Sequence, residues 1–445
     1  MNDWDDAERR VEKAQELFEQ RRWLEALEEL RAAISINPYN GGWFFNIGLT
    51  LDEMERFDEA IEAYRSALEI DANDLQGLQH LGVDLHRVGK FDEALRTFER
   101  MQELDASFEP SYCHRIITYS DLGDHDKAEE MFYLARLYKE HCPHCYYNIG
   151  CSLYERGQYD RAVYCWQRTL DLEQNYPQVQ VRIAEALWAK GTLESARQHY
   201  LAGLRQDPGS IQTLLDLGEL LAEMGRSDDA GEKFRRAIEL APDDPAAHFC
   251  HGQWLMQLGQ DIPAIEAFSK TLKLDPTYPG AHLRLGESFH YRGDVMQARR
   301  HLRAELLLRP DDPQILLDLA NVLTDAGQHR PALACLKRLV QIDPKNPSGW
   351  QNLAVAHFHS GRYPDGIACC HQGLQCDPDN VMFAYNLALA YEHLRNYPES
   401  RRWLGTGLEL EPDDQSLQRL ELRVRFLELR HRVLNALGRL AFWRG

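Results

Sequence analysis

Apolar residues along the chain fall three and four apart, the spacing of one helix face, in blocks separated by short polar turns. In "FFNIGLTLDEMERFDEAIEAYRSAL", residues 44–68, one block ends at a polar turn and another begins. Residues 146–170, "YYNIGCSLYERGQYDRAVYCWQRTL", repeat the arrangement. Small residues set the period. Alanine stands at 26, 60, 94, 128, 162, 196, 230, 264, 298 and 332, every step 34 residues, and Gly366 and Ser400 extend the series. A second series of small residues runs from Ala14 through Gly48, Gly82 and Gly150 to Ala354 and Ala388, broken by Ile116.

Two further series punctuate the helices. Glycine recurs at 89, 123, 157, 191, 225, 259, 293, 327 and 361, and proline at 38, 208, 242, 276, 310, 344, 378 and 412. Each unit therefore reads helix, glycine turn, helix, proline turn. Glycine ends the first helix in a left-handed conformation, and proline blocks continuation of the second. Pro263, Pro331, Pro364 and Pro398 fall at the start of second helices, where a missing N–H is harmless. The small positions admit large neighbours, among them Leu51, Leu85 and Leu153 of first helices and Tyr64, Phe98, Trp166 and Phe268 of second helices.

This period, with its small and aromatic positions, resembles the tetratricopeptide-repeat superfamily. The resemblance implies an all-α fold, a right-handed superhelical α-solenoid of about twelve helix-turn-helix repeats with a C-terminal capping helix. Residues 1–6 are then an N-terminal tail, 7–414 the twelve tandem units, and 415–445 the capping helix with a basic tail.

The family presents its first helices on a concave inner surface. The position two residues before the small Gly or Ala is expected to face that groove. It holds Asn46, His80, His114, Asn148, Arg182, Asp216, Arg284, Asp318, Asn352 and Asn386, with Glu12 and Cys250 completing the series. Asparagine is a mediocre helix former, but its amide offers a donor and an acceptor to an extended backbone. In the family, asparagines at this place hold peptide main chain, so these residues are the candidate partner-binding set. A solvated helix face is the competing reading. Neighbouring Phe45, Tyr147, Trp188, Phe249, Phe358 and Tyr385 would either anchor a partner or pack between repeats. The subclass that grips a carboxylate tail with lysines is not matched, because Arg182 and Arg284 are isolated cations on this face.

Charge changes the picture of partners. With 70 acidic against 50 basic residues the chain carries −20, which argues against nucleic acid, whose phosphates require a basic stripe. Residues 1–108 are net −13 and residues 415–445 net +5, ends of opposite sign. The opening "MNDWDDAERR" is not a secretory signal, and no run of apolar residues is long enough to span a membrane. Ten irregularly scattered cysteines fit reduced thiols in a cytoplasm.

One cysteine cluster stands apart. "HCPHC", residues 141–145, places Cys142 and Cys145 three apart beside His144, with Cys113, His114 and Cys151 in the same region and His80 and His86 one unit earlier. Thiolates and imidazoles are zinc donors, so Cys142, Cys145, His144 and His114 are candidate ligands. A redox C-x-x-C normally opens a helix in a βαβ setting, which is absent, and the second Cys/His pair lacks standard zinc spacing. Buried idle thiols are the alternative, and no metal or cofactor is assigned. Phosphate-loop, nucleophile-elbow and zinc-protease motifs are missing, and the unbroken register leaves no room for a catalytic insertion.

Residues 416–445 leave the repeat pattern. Leu420, Val424, Leu427 and Leu434 share one helical face, which docks on the last unit. Leu422, Phe426, Leu429, Val433, Leu437 and Leu440 share another, with Arg423, Arg430 and Arg439 between and Trp443 beyond. That second stripe would self-associate, meet a partner helix, touch an anionic membrane, or be buried by curvature. The expected function is a non-catalytic scaffold or adaptor that binds peptide segments or proteins in its groove. The alternatives are a metal-binding or redox-responsive module and a recruitment arm for a separate enzyme.

Overall fold

The structure, a computed structural model, describes residues 3–442 and the side chains of residues 4–433. It divides into two compact units, one ending at Arg226 and the other beginning at Ser227. The first contains α1 (Asp3–Glu19), α2 (Trp23–Ile36), α3 (Gly41–Glu53), α4 (Phe57–Ile70), α5 (Leu75–Arg87), α6 (Phe91–Leu104) and α7 (Glu109–Asp121). It continues with α8 (His125–Tyr138), α9 (Pro143–Glu155), α10 (Tyr159–Leu172), α11 (Val179–Ala189), α12 (Leu193–Gln206) and α13 (Ile211–Glu223). The second contains α14 (Ser227–Leu240), α15 (Pro245–Gln257), α16 (Asp261–Leu274), α17 (Ala281–Tyr291), α18 (Val295–Leu308) and α19 (Pro313–Asp325). It closes with α20 (His329–Ile342), α21 (Pro347–His359), α22 (Tyr363–Cys376), α23 (Val381–His393), α24 (Tyr397–Leu410) and α25 (Gln415–Phe442). Among the described residues there is no strand, and no helix is long and apolar enough to cross a membrane.

Within each unit, consecutive helices pair as antiparallel hairpins, α1 with α2 through α11 with α12 and α15 with α16 through α23 with α24. The turn glycines do what the register requires. All nine hold φ between 67° and 77°, and a Cβ there would meet nothing. The chain reverses because Lys90 N–H returns to Leu85 C=O at 2.8 Å while Gly89 N–H reaches His86 C=O at 2.9 Å, a closure that needs the left-handed residue between. Arg21, Glu55 and Arg395 occupy the same register position at φ 59°, 58° and 59°, without glycine's freedom.

The small positions are small for a packing reason. A Cβ on Gly150 would lie 2.5 Å from the indole nitrogen of Trp166, which is fully buried and donates that N–H to Tyr147 C=O at 3.1 Å. First-helix glycine and second-helix aromatic thus fit as groove and ridge.

α1 begins at Asp3, inside the segment that the register leaves as a tail. Arg9 and Arg10 pair with Asp6, and Trp4 lies 6.4 Å from Trp43, which extends the helix backwards. At the other end, Leu417, Leu420 and Val424 of α25 are buried against α23 and α24, with Leu427 partly covered. The opposite stripe is bare: Leu422 is 67% exposed, Phe426 65% and Leu429 63%. Leu434, Leu437, Arg439 and Leu440 lie beyond the described side chains, and Trp443 beyond the described residues.

Candidate functional site

The candidate positions Asn46, His80, His114, Asn148, Arg182 and Asp216 of the first unit lie on α3, α5, α7, α9, α11 and α13, one per helix, and each of them is half-buried. Their burial has a common cause. Each side chain sits sixteen residues after the large residue of the preceding second helix, and the first three lie against it. The His80 ring stacks on Tyr64 with centroids 5.6 Å apart, and His114 stacks on Phe98 at 5.0 Å and 16°. Asn46 sits beside Leu30 in a cleft of about 230 Å³ whose other walls are Val11, Ala14, Gln15, Phe18, Leu49 and Thr50. These residues therefore do two things at once: their bodies cap the hairpin core and their polar ends line the first-helix face.

Burial also sets their charge. It pulls His114 down to about 4, helped by His86 and His80, so His114 is a neutral imidazole at physiological pH. Asp216 is pushed up to about 6 by burial, against a hydrogen bond from Gln212 Nε2 at 2.7 Å, with Glu185 and Glu219 adding negative charge.

The second unit repeats part of this chemistry. Arg284 pairs with Glu287 at 2.9 Å as Arg182 pairs with Glu185 at 3.0 Å. Gln314 Nε2 donates to Asp318 as Gln212 does to Asp216, and burial again raises the Asp318 carboxyl. Asn352 is half-buried and donates Nδ2–H to Asn321 Oδ1 at 3.1 Å. Asn386 differs. It lies inside the packed layer at 6% exposure, with its amide nitrogen unpartnered among the described residues. At the register position sixteen residues earlier, where other units place a ring or leucine, this unit has the smaller Cys370, itself fully buried.

The cysteine region is organised differently from the sequence expectation. Four donors converge where α7 meets α9: Glu109, Cys113, Cys142 and Cys145, with all ligand atoms within 4.8 Å of one another. Cys113 Sγ lies 3.0 Å from Cys145 Sγ and 3.8 Å from Cys142 Sγ. Cys142 Sγ lies 2.7 Å from Glu109 Oε1, and Lys139 Nζ contacts the other carboxylate oxygen. Cys142 is the N-cap of α9 and its sulfur accepts the Cys145 backbone N–H at 2.9 Å. The facing Cys113 and Cys145 thiols hold Cys142 below the usual thiol range, while burial and the Cys142 sulfur push Glu109 up.

The candidate histidine ligands are not part of this cluster. His144 is exposed and turns to Tyr176 Oη at 2.7 Å, and His114 is occupied by its stack on Phe98. Sequence reading missed Glu109. Its signal was register: one 34-residue step from Glu109 lands on Pro143, beside Cys142, so the two side chains are neighbours across one repeat.

Profiles of the tetratricopeptide repeat match residues 43–74, 80–100, 147–211, 188–249, 289–356 and 323–384, together more than half of the chain. No curated protein matches by sequence. Among solved structures, the chain is similar to the APC/C hetero-tetramer Cut9–Hcn1 at 15% identity, covering 92% of this chain and 95% of that one, with a TM-score of 0.43. It is similar to yeast Tom70 at 14% identity, covering 97% and 96%, with a TM-score of 0.41. It is also similar to YrrB, a TPR protein with an unusual peptide-binding site, at 18% identity, covering 42% and 97%, with a TM-score of 0.39.

Proposed function

The chain belongs to the tetratricopeptide-repeat family, and on that premise we propose that it is a non-catalytic scaffold whose first-helix faces bind extended peptide segments of partner proteins. The observation that carries this reading is the row Asn46, His80, His114, Asn148, Arg182 and Asp216. Six successive first helices each carry one half-buried polar residue at one register position, and Asn46, His80 and His114 lie against the leucine or ring sixteen residues before them. A peptide backbone needs donors and acceptors at regular intervals and apolar pockets between them. The cleft beneath Asn46 has the character of such a pocket.

The partner's chemistry follows from charge. Asp216 and Asp318 are carboxylates disfavoured by their burial, and a cationic side chain or ammonium would relieve both, on a chain that is net −20. Basic or amide-rich segments are therefore the proposed ligands, in a reducing compartment such as the cytoplasm. The exposed stripe of α25 is assigned to a second copy of the chain or another amphipathic helix. Sedimentation of Leu422→Glu/Phe426→Glu against wild type reads the first of these, and the same mass for wild type and variant removes self-association through the stripe.

The test is a peptide selected from a random display library by the immobilised full-length chain. Its affinity should fall about tenfold in Asn148→Ala and in Asp216→Asn, the loss of one hydrogen bond to a charged or polar group. The outer-face variant Tyr133→Ala should bind as wild type does. Equal affinity in all of them would defeat the proposal.

A further inference from the structure

We propose that Glu109, Cys113, Cys142 and Cys145 form a closed, structural Zn²⁺ site that staples the fourth repeat to the fifth. The donor set is the first reason. Three soft sulfurs and one carboxylate oxygen suit zinc, and with every cysteine nearly buried no position is left open to a substrate. The spacing is the second. Sulfurs around tetrahedral zinc stand ~3.8 Å apart for Zn–S bonds of ~2.3 Å. Cys113 and Cys142 are 3.8 Å apart, the 3.0 Å from Cys113 to Cys145 opens to that value with small rotamer changes, and Cys142 and Cys145 lie within 4.8 Å of each other.

Comparison within the chain is the third reason. The N-cap position of first helices carries Asp74, Ser210, Asp244 and Asp312, side chains that accept well from backbone N–H. Cys142 is a poorer acceptor in that role, so capping does not explain it. The turn before α9 has also lost its usual device. Asp71, Asp105 and Asp207 brace equivalent turns by accepting a backbone N–H two residues on, whereas Lys139 replaces them and reaches Glu109 instead. An ammonium on the outer oxygen of a ligating carboxylate is a second-shell contact of the expected kind.

Two simpler readings fit less well. A buried thiol used as a small hydrophobe would not face a carboxylate and an ammonium. A disulfide would consume two sulfurs and leave the third opposed to Glu109. Packing gives the staple a purpose: α7 lies directly on α9 more extensively than other successive first helices do, and α8 contributes less to this junction than second helices do elsewhere. Binding replaces the thiol protons, which pass to solvent, by one Zn²⁺, leaving three thiolates and a carboxylate around the ion with Lys139 offsetting part of their charge.

The experiment uses the full-length chain, purified reduced, stripped with a chelator and titrated with Zn²⁺ and separately with Co²⁺. One zinc per chain is expected, with a cobalt spectrum of tetrahedral type whose thiolate charge-transfer intensity counts three sulfurs. Zinc should protect Cys113, Cys142 and Cys145 from alkylation and leave Cys376 reactive. Cys113→Ser/Cys142→Ser should abolish binding, and Cys165→Ser and His144→Ala should retain it. The wild-type spectrum and alkylation pattern need no variant, so they decide the matter even if the double variant fails to fold. No zinc retained by wild type, a sulfur count below three, a Cys113–Cys145 disulfide in the reduced preparation, or binding that survives the double substitution would each overturn the site.

Discussion

Arg21, Glu55 and Arg395 stand at turn positions where nine other units place glycine, and all three hold the left-handed backbone. A residue with a Cβ is about 1–2 kcal/mol less stable there, while glycine loses roughly 0.5–1 kcal/mol more entropy on folding. The steric effect wins by a small margin. Each →Gly substitution should therefore stabilise its unit by about 0.5–1 kcal/mol, and Gly89→Ala should destabilise, both read by denaturant unfolding. Asp84 makes a second case. It is fully buried on α5 with one oxygen on Arg87 and the other unpartnered, near Asp52 and the Tyr64 hydroxyl. Burial, then the Asp52 charge, raises its carboxyl from 3.8 to about 7. The folded chain thus binds the proton more tightly than the unfolded one, so this contribution to stability is full below pH 4 and lost as pH rises through 7. Asp84→Asn should raise the melting temperature at pH 8, by about 1 kcal/mol or more in stability, and give no gain at pH 4. A gain that is independent of pH would refute the titration.

At the scale of elements, α17 shows how a helix start is secured when its own cap is missing. Gly280 precedes it at φ 79° and offers no side chain. Glu305, fully buried on α18, accepts from Gly280 N–H at 3.1 Å and Leu283 N–H at 3.2 Å while Arg309 neutralises it. Glu305→Ala would leave two buried N–H groups and a cation without partners, at a cost of about 3 kcal/mol, measurable as a lowered melting temperature and faster amide exchange in α17. Helices like this one were legible as elements because glycine, proline and small residues recur in phase. Glu305 was not, because its register position elsewhere holds Ala67, Thr271 or Leu339, and a single charged residue in an uncharged series gives no pattern to read. The α25 stripe was legible for the opposite reason: Leu422, Phe426 and Leu429 follow helical spacing on the side away from Leu420 and Val424.

For the molecule as a whole, the 34-residue period made the helices and the turns between them readable from the sequence. The packing role of the candidate positions was less so. That His80 and His114 rest on Tyr64 and Phe98 depends on a sixteen-residue offset between elements, which no single helix displays. Asn386 is buried in the unit whose preceding second helix carries Cys370 in place of a ring or leucine, a difference that lies in another helix. The Glu109–cysteine cluster lay between: Cys142 and Cys145 were visible as a pair with Cys113 in the same region, and stacking of repeats brought Cys113 and Glu109 to them. On the proposed reading, recognition is spread over many similar contacts, so single substitutions should weaken binding and none should abolish it.

The direct measurement is photo-crosslinking of the display-selected peptide, carrying a photoreactive residue at each position in turn, to the full-length chain, with the attached residues mapped by mass spectrometry. Attachment should fall beside Asn46, His80, Asn148, Arg182 and Asp216 on α3, α5, α9, α11 and α13, in an order that tracks the peptide. Attachment confined to the second helices, at residues such as Tyr133, Leu137 and Tyr164, would contradict the account.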